Sequence, residues 1–217
     1  MNRLVAIGWI TLAGACGYTD AGSGTGTLLV DARAVYRAAH DNQTSIDVEV
    51  AKNGEDFVNA RVTVKDGDGG GTITLTERGG GRYSDDLSGY HRKLELTVEL
   101  GGDNLNVRLE GPGPHVLTDP LAGDRISLGG LGGALPVRWR VADGLRADEA
   151  SISLDQSPYE SGPRNDDGSW EIPVTSLASG TEEVRVERTN RIAPNGGVAG
   201  SSFEMTYDVR VAFDIDN

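Results

Sequence analysis

The chain has 217 residues, of which 37% are hydrophobic, 6% aromatic and 31 are glycine, and its formal charge is −13. That length accommodates one large or two ordinary domains, and the modest apolar share predicts small cores with much loop. An acidic surface repels phosphate backbones and anionic lipid, which argues against a nucleic-acid partner and against docking through a basic patch; acidic solubility or divalent-cation binding remain.

The first residues, MNRLVAIGWITLAGA, carry one positive charge, Arg3, and then run uncharged for twelve residues from Leu4 to Ala15. Spanning a bilayer takes about twenty apolar residues, so the run predicts a secretory signal over 1–15, with Ala13, Gly14 and Ala15 as the small residues before a cleavage site. Cys16, the one cysteine of the sequence, follows directly. A lone thiol on an exported protein invites intermolecular disulfides in an oxidising compartment, and acylation removes that hazard. The stretch "LAGAC" resembles the lipobox of bacterial lipoproteins. The family prefers leucine three places before the cysteine; Ala13 stands there, with Leu12 one place further back. The resemblance implies that the Cys16 sulfur receives a diacylglycerol, that the signal is cut before it, and that the new N-terminus is acylated as well. Two or three such chains anchor firmly, at about 0.8 kcal/mol per buried methylene. An aspartate directly after the cysteine would resemble an inner-membrane retention signal in enterobacterial members; Gly17 there implies the outer membrane, facing either the periplasm or the cell surface. Cleavage removes Arg3 and no acidic residue, taking the formal charge from −13 to −14. Residues 16–26, "CGYTDAGSGTG", are small and polar and predict a lipidated cysteine on a flexible tether.

Beyond the tether the hydrophobic period is two. Leu28, Val30, Ala32, Ala34 and Tyr36 alternate with Leu29, Asp31, Arg33 and Val35. Ile46, Val48 and Val50 follow, then Ala60, Val62 and Val64, then Ile73 and Leu75, then Leu94 to Leu100 and Leu105 to Leu109. Each run has one apolar and one wet face, as half-buried strands require. The breaks are turn chemistry: Asn53-Gly54, "DGDGGG" at 66–71, "RGGG" at 78–81 and "GGDN" at 101–104. Such spacing predicts antiparallel sheets with hairpins. "GPGPH" at 111–115 cannot continue a central strand, because two prolines remove donors, and a domain boundary falls between it and about residue 124. The pattern restarts with Val137, Trp139 and Val141, then Ala150, Ile152 and Leu154, then Trp170, Ile172 and Val174, then Val184 and Val186. The last run, Phe203 to Ile215, is the longest and predicts a strand inside a sheet. No stretch carries a helical period. The fold class is all-β: two tandem Ig-like sandwiches, 27–118 and 119–217.

The segments "VAKNGEDFVNARVTV" and "GRYSDDLSGYHRKLELTV" resemble the bacterial Ig-like or transthyretin-like modules related to carboxypeptidase regulatory domains, over about residues 44–100. The resemblance is carried by a turn, a strand ending in a small residue before "VTV", and Gly-x-Tyr and Gly-Tyr steps before a long strand. The second half, with "LPVRWRV" and "DDGSWEIPV", looks more like a fibronectin-type sandwich. Neither family implies an activity, because fold and function separate.

Candidate chemistry is sparse. His40, His91 and His115 lie far apart, and no pair has zinc-like spacing. There is no Gly-x-Ser-x-Gly elbow, and the glycine clusters do not sit between a strand and a helix as phosphate loops do. "KDGDGGGT" places Asp66 and Asp68 in one tight turn, and "RNDDGSW" places Asp166 and Asp167 in another; these carboxylates are the calcium candidates. Turn-forming Asp-Gly accounts for both without a metal. Trp170 is either a sugar platform or, from its phase with Ile172, a core residue, and Trp139 is core by the same reasoning. The sequence thus predicts a lipid-anchored, non-enzymatic envelope protein with no cofactor, held to a membrane through Cys16 and serving an unidentified protein partner. The alternatives are a subunit of a larger envelope assembly, and a calcium-dependent carbohydrate-binding protein or hydrolase.

Overall fold

The computed structural model describes residues 18–38 and 42–217; the signal segment, Cys16 and His40 lie outside the described residues. Seventeen strands follow one another along them: β1 (Asp20–Gly24), β2 (Leu28–Arg37), β3 (Gln43–Lys52), β4 (Glu55–Asp56), β5 (Arg61–Asp66), β6 (Thr72–Thr74), β7 (Thr76–Gly79), β8 (Arg82–Ser88) and β9 (Lys93–Leu100), then β10 (Asp103–Glu110), β11 (His115–Asp119), β12 (Arg125–Ser127), β13 (Ala134–Val141), β14 (Glu149–Leu154), β15 (Ser169–Pro173), β16 (Gly180–Ile192) and β17 (Ser202–Asp216). Two single 3-10 turns, Leu128–Gly130 and Val174–Ser176, are the helical elements among the described residues. The protein is all-β, as the period of two requires.

Three sheets form two sandwiched cores. A five-stranded sheet runs β1-β10-β9-β5-β6 and a three-stranded sheet β11-β13-β15. A large sheet runs β14-β16-β17-β2-β3-β8-β7, with β12 beside the end of β17 and β4 folded onto β3. The first core packs the inward side chains of the five-stranded sheet, such as Val62, Leu96 and Val107, against Val30, Ile46 and Tyr83 of the large sheet. The second packs Leu135, Val137 and Ile172 against Ile152, Val184 and Val186.

Strand β17 ties the two together. At 15 residues it extends about 50 Å, enough to cross both cores: Phe203 and Met205 lie in the first, Phe213 and Ile215 in the second. It pairs antiparallel with β16 along most of its length and parallel with β2 from Ser202 to Asp208. The last strand therefore lies inside a sheet, and the two sandwiches share that sheet. The chain passes from the first core to the second through Gly111–Pro114, where the Gly111 amide donates to the Arg92 carbonyl (2.7 Å) and the Pro114 carbonyl accepts from Ala142 (2.9 Å).

Local chemistry sets the turns. Asn53 and Gly54 take φ of 55° and 80°, the left-handed pair that a two-residue hairpin needs to match the strand twist between β3 and β4. Tyr83, the tyrosine of the Gly-x-Tyr step, is buried; its hydroxyl donates to the Phe57 carbonyl (3.1 Å) and accepts from the Ala60 amide (2.8 Å), pinning the loop into β5.

One expectation is corrected here. Residues 20–24, expected as part of a flexible tether, form the edge strand β1, paired antiparallel with β10. The loop between β16 and β17 straps it from the other side: the Asn195 amide donates to the Ala21 carbonyl (2.9 Å) and the Gly26 amide to the Gly196 carbonyl (3.0 Å). The small residues serve close packing rather than flexibility. A Cβ on Gly22 would lie 1.7 Å from the Asn106 carbonyl oxygen, and its φ is +72°. Gly22→Ala is therefore expected to detach β1, at a cost of about 2 kcal/mol, bounded by the loss of one edge strand. Denaturant melts and limited proteolysis before residue 28 check this; an unchanged midpoint and an uncut N-terminal segment would contradict it.

Candidate functional site

The four carboxylates singled out in the sequence sit in two turns on different cores, and each faces donors of the chain itself. In the β5–β6 turn, Asp66 Oδ1 accepts the Asp68 amide (2.9 Å), and its Oδ2 stands 3.1 Å from His91 Nδ1. The other His91 nitrogen, Nε2, contacts the Ser88 carbonyl at 2.9 Å. Asp68 Oδ1 lies 3.2 Å from Lys93 Nζ. In the turn before β15, Asp167 Oδ1 accepts from Arg146 Nη1 at 3.0 Å. Among the described residues no three of His, Cys, Asp and Glu gather as a metal-ligand group. Calcium, which takes six to eight oxygens, would have to displace these partners. Added calcium is expected to leave the thermal midpoint unchanged; a rise of several degrees would make the turns binding sites.

Asp166 is different in kind, because it is the centre of a buried network. Its Oδ2 accepts from Arg188 Nε (2.9 Å) and Nη2 (2.5 Å) and from the Ala147 amide (2.7 Å), and its Oδ1 accepts from Trp139 Nε1 (2.9 Å). Arg188, on β16, is 0% exposed and also donates to the carbonyls of Gly113 (2.6 Å) and Leu145 (2.7 Å). Burial opposes ionisation of Asp166, but the hydrogen bonds from Arg188, Ala147 and Trp139 outweigh it and hold the carboxyl below its ordinary range. The network joins β13, β16 and the crossover at Gly113. Its geometry is structural: both oxygens of the Asp166 carboxylate are engaged by donors of the chain itself.

Beside it lies an aromatic cluster at the junction of the cores. Tyr36 of β2, Tyr90 of the β8–β9 loop and Tyr207 of β17 pack with centroids 4.8–5.2 Å apart, and the His115 ring lies 5.3 Å from Tyr207. Tyr90, the second tyrosine of the family-like steps, hydrogen-bonds the Pro112 carbonyl, and burial drives its phenol well above the usual range. His115 is 2% exposed; neither ring nitrogen makes a hydrogen bond of good geometry among the described residues, and a backbone contact to Val186 only partly offsets its burial. Burial, aided by the positive charge of Arg188, lowers its pKa from 6.5 to about 4. No neighbouring partner for His115 is visible along the chain, and the structure places it inward on β11, near the Arg188 charge. Arg188 itself was missed. The signal was its parity: it stands on the inward side of β16 after Val184 and Val186, where alternation calls for an apolar residue.

The indoles have structural roles. Trp139 is core. Trp170 is half-buried against the second core; its Nε1 donates to the Tyr159 hydroxyl (2.6 Å), and the Arg164 guanidinium covers its ring at 5.0 Å. On the outward face of the large sheet, a groove of about 340 Å³ is lined by Leu29, Asp31, Glu49, Asp56 and Arg82, among others. Two of its carboxylates have local partners: Glu49 pairs with Arg82 at 2.9 Å, and Asp31 accepts from the Ser202 hydroxyl at 2.5 Å.

Fold and site together define an all-β protein of two sandwiched cores on a shared sheet, whose interior charges hold its own strands. No protein-family model matches the chain, and no curated protein matches it significantly. Among solved structures it is similar to the extracellular domain of a hybrid two-component system from B. thetaiotaomicron, at 12% identity and a TM-score of 0.28, over 79% of this chain and 30% of that one.

Proposed function

We propose that the chain is a lipid-anchored envelope protein that acts as a non-catalytic binding or structural module in the periplasm or at the cell surface. The observation that carries this reading is the uncharged segment Leu4–Ala15 followed directly by Cys16. The engagement of Asp66, Asp68, Asp166 and Asp167 with cations and amides of the chain supports a scaffold over a hydrolase or a calcium-dependent lectin. Contacts to a protein partner fall on strand edges and end loops; β7, exposed along its whole length, ends the large sheet with free backbone groups that a partner strand can pair.

Intact-mass measurement of the natively expressed protein tests the anchor. The expected product lacks residues 1–15 and carries acyl mass, and Cys16→Ser is expected to lose both the acyl mass and the membrane fraction. An unprocessed N-terminus, or a mature chain without acyl mass, overturns the reading.

A further inference from the structure

We propose that β6 is a self-association edge: two copies of the chain pair through Thr72–Thr74 about a two-fold axis at Ile73, joining their five-stranded sheets into one. This deepens the reading that strand edges carry the protein contacts, and it does not depend on the anchor.

The phase of β6 is fixed at both ends. The Leu75 amide donates to the Val62 carbonyl (2.8 Å) and the Asp66 amide to the Gly71 carbonyl (3.2 Å), and Val64 stands opposite Ile73. Residues 71, 73 and 75 therefore turn their backbone groups to β5, and Thr72 and Thr74 turn theirs away from it. Strand β6 ends its sheet, so the N–H and C=O groups of these two threonines have no backbone partner among the described residues.

The other sheet ends are blunted by devices that keep edges from pairing. Strand β1 is strapped by Asn195 and Gly196. Residues 159–164 cover β14, with the Ala150 and Arg164 main chains exchanging two bonds (2.8 and 2.9 Å). Strands β7 and β11 each carry a bulge, and β15 ends at Pro173. Strand β6 has no bulge, proline, charge or cover, and it lies in an uncharged run, GGGTITLT at 69–76.

A second copy is the partner that this edge fits, because Thr-Ile-Thr reads the same in both directions. In an antiparallel pair centred on Ile73, Thr72 of each copy faces Thr74 of the other. Both residues carry the outward backbone groups, so this register closes four hydrogen bonds. Facing threonines are a favourable cross-strand pair. Ile73, half-buried at the rim of the first core, meets its own counterpart at the axis, and each covers the exposed part of the other. Lys65 stands opposite Thr72 on β5; the axis sets the two Lys65 residues three strand spacings apart, about 14 Å and beyond a Debye length. Asp66 and Asp68 of the two copies fall at opposite ends of the paired strands. Three residues make a short contact, so the association is weak and shows at high concentration.

The test uses the full chain carrying Cys16→Ser, which removes the one native thiol. Ile73→Cys and, as a control, Asp47→Cys at an exposed position of β3 are each oxidised mildly at about millimolar protein. Non-hydrogen-bonded neighbours stand about 4.5 Å apart between Cα atoms, within reach of a disulfide. Covalent dimer at 73 is expected to exceed that at 47 by at least about tenfold. Sedimentation equilibrium of the Cys16→Ser chain is expected to show a mass rising towards twice the monomer. Thr74→Pro removes an outward donor and no bond to β5, and is expected to stay monomeric with an unchanged circular-dichroism spectrum. Should proline alter the spectrum, the disulfide comparison decides alone. Equal dimer at 73 and 47, a chain that stays monomeric, or a folded Thr74→Pro variant that dimerises as readily overturns the self-pairing. Acyl mass and membrane retention of the unsubstituted chain bear on the anchor alone and are read separately.

Discussion

Replacing Asp166 by alanine is expected to lower the stability of the protein by about 3–5 kcal/mol, the cost of stranding a buried charge. Arg188 is fully buried, and the carboxylate supplies both its charge balance and two of its hydrogen bonds. Alanine also leaves the Trp139 indole N–H and the Ala147 amide without their acceptor. For a chain of this size the loss corresponds to a fall in Tm on the order of 10 °C. Asp166→Asn separates charge from shape: it keeps an acceptor for Trp139 but not the countercharge, so most of the loss is expected to persist. The double variant Asp166→Leu with Arg188→Met removes the charge problem and regains only part of the stability, because the carbonyls of Gly113 and Leu145 lose the donors that Arg188 gives them. Denaturant unfolding of the four proteins measures this. A loss below about 1 kcal/mol in Asp166→Ala would mean that water replaces the carboxylate, and that the site is not the closed network described.

The physics of this network explains why sequence alone assigned Asp166 to a different chemistry. An Asp-Asp-Gly turn is legible as a turn, because Asp and Gly favour it. What the carboxylate faces is set 22 positions away, at Arg188, by the packing of β16 over the turn. The alternation of β16 and β17 was legible for the same reason that it is informative: one face of each strand is buried, and burial repeats every second residue. Alternation does not name the neighbour. The parallel pairing of β17 with β2 joins Ser202 to Asp31, and no local pattern distinguishes it from an antiparallel partner closer in sequence. Asp208 marks a second limit. Its outward parity predicts a wet side chain, yet it is 1% exposed, because Arg185 and Arg210 both lie over its Oδ2 (3.0 and 3.2 Å). Residues 20–24 mark a third: glycine and serine serve a flexible tether and a tightly strapped strand equally well, and only the nearness of Asn106 and Gly196 decides between them.

The two interior charges and the buried imidazole meet where the first core gives way to the second, so that junction is where acid is expected to act. His115 is the group that responds first. In the unfolded chain it takes a proton near pH 6.5, whereas in the fold its pKa is about 4, through burial and the Arg188 charge. Between those values the unfolded state binds more protons than the native one, so stability falls as pH falls. The contribution is complete above about pH 6.5, declines from there to about pH 4, and amounts to roughly 3 kcal/mol over that window. Asp166 responds in the same direction but lower, since its carboxyl is held below its ordinary range and stays ionised until the pH drops beneath it. His115→Phe separates the two. The phenyl ring can keep the packing against Tyr207 while removing both buried nitrogens and the poor backbone contact to Val186. Urea melts from pH 7.5 down to pH 4 are expected to show a steep loss in the native protein and a much flatter profile in the variant, with the variant at least as stable at neutral pH. Parallel profiles for the two proteins would mean that His115 gains a proton in the fold as readily as in water, and that the junction opens to solvent.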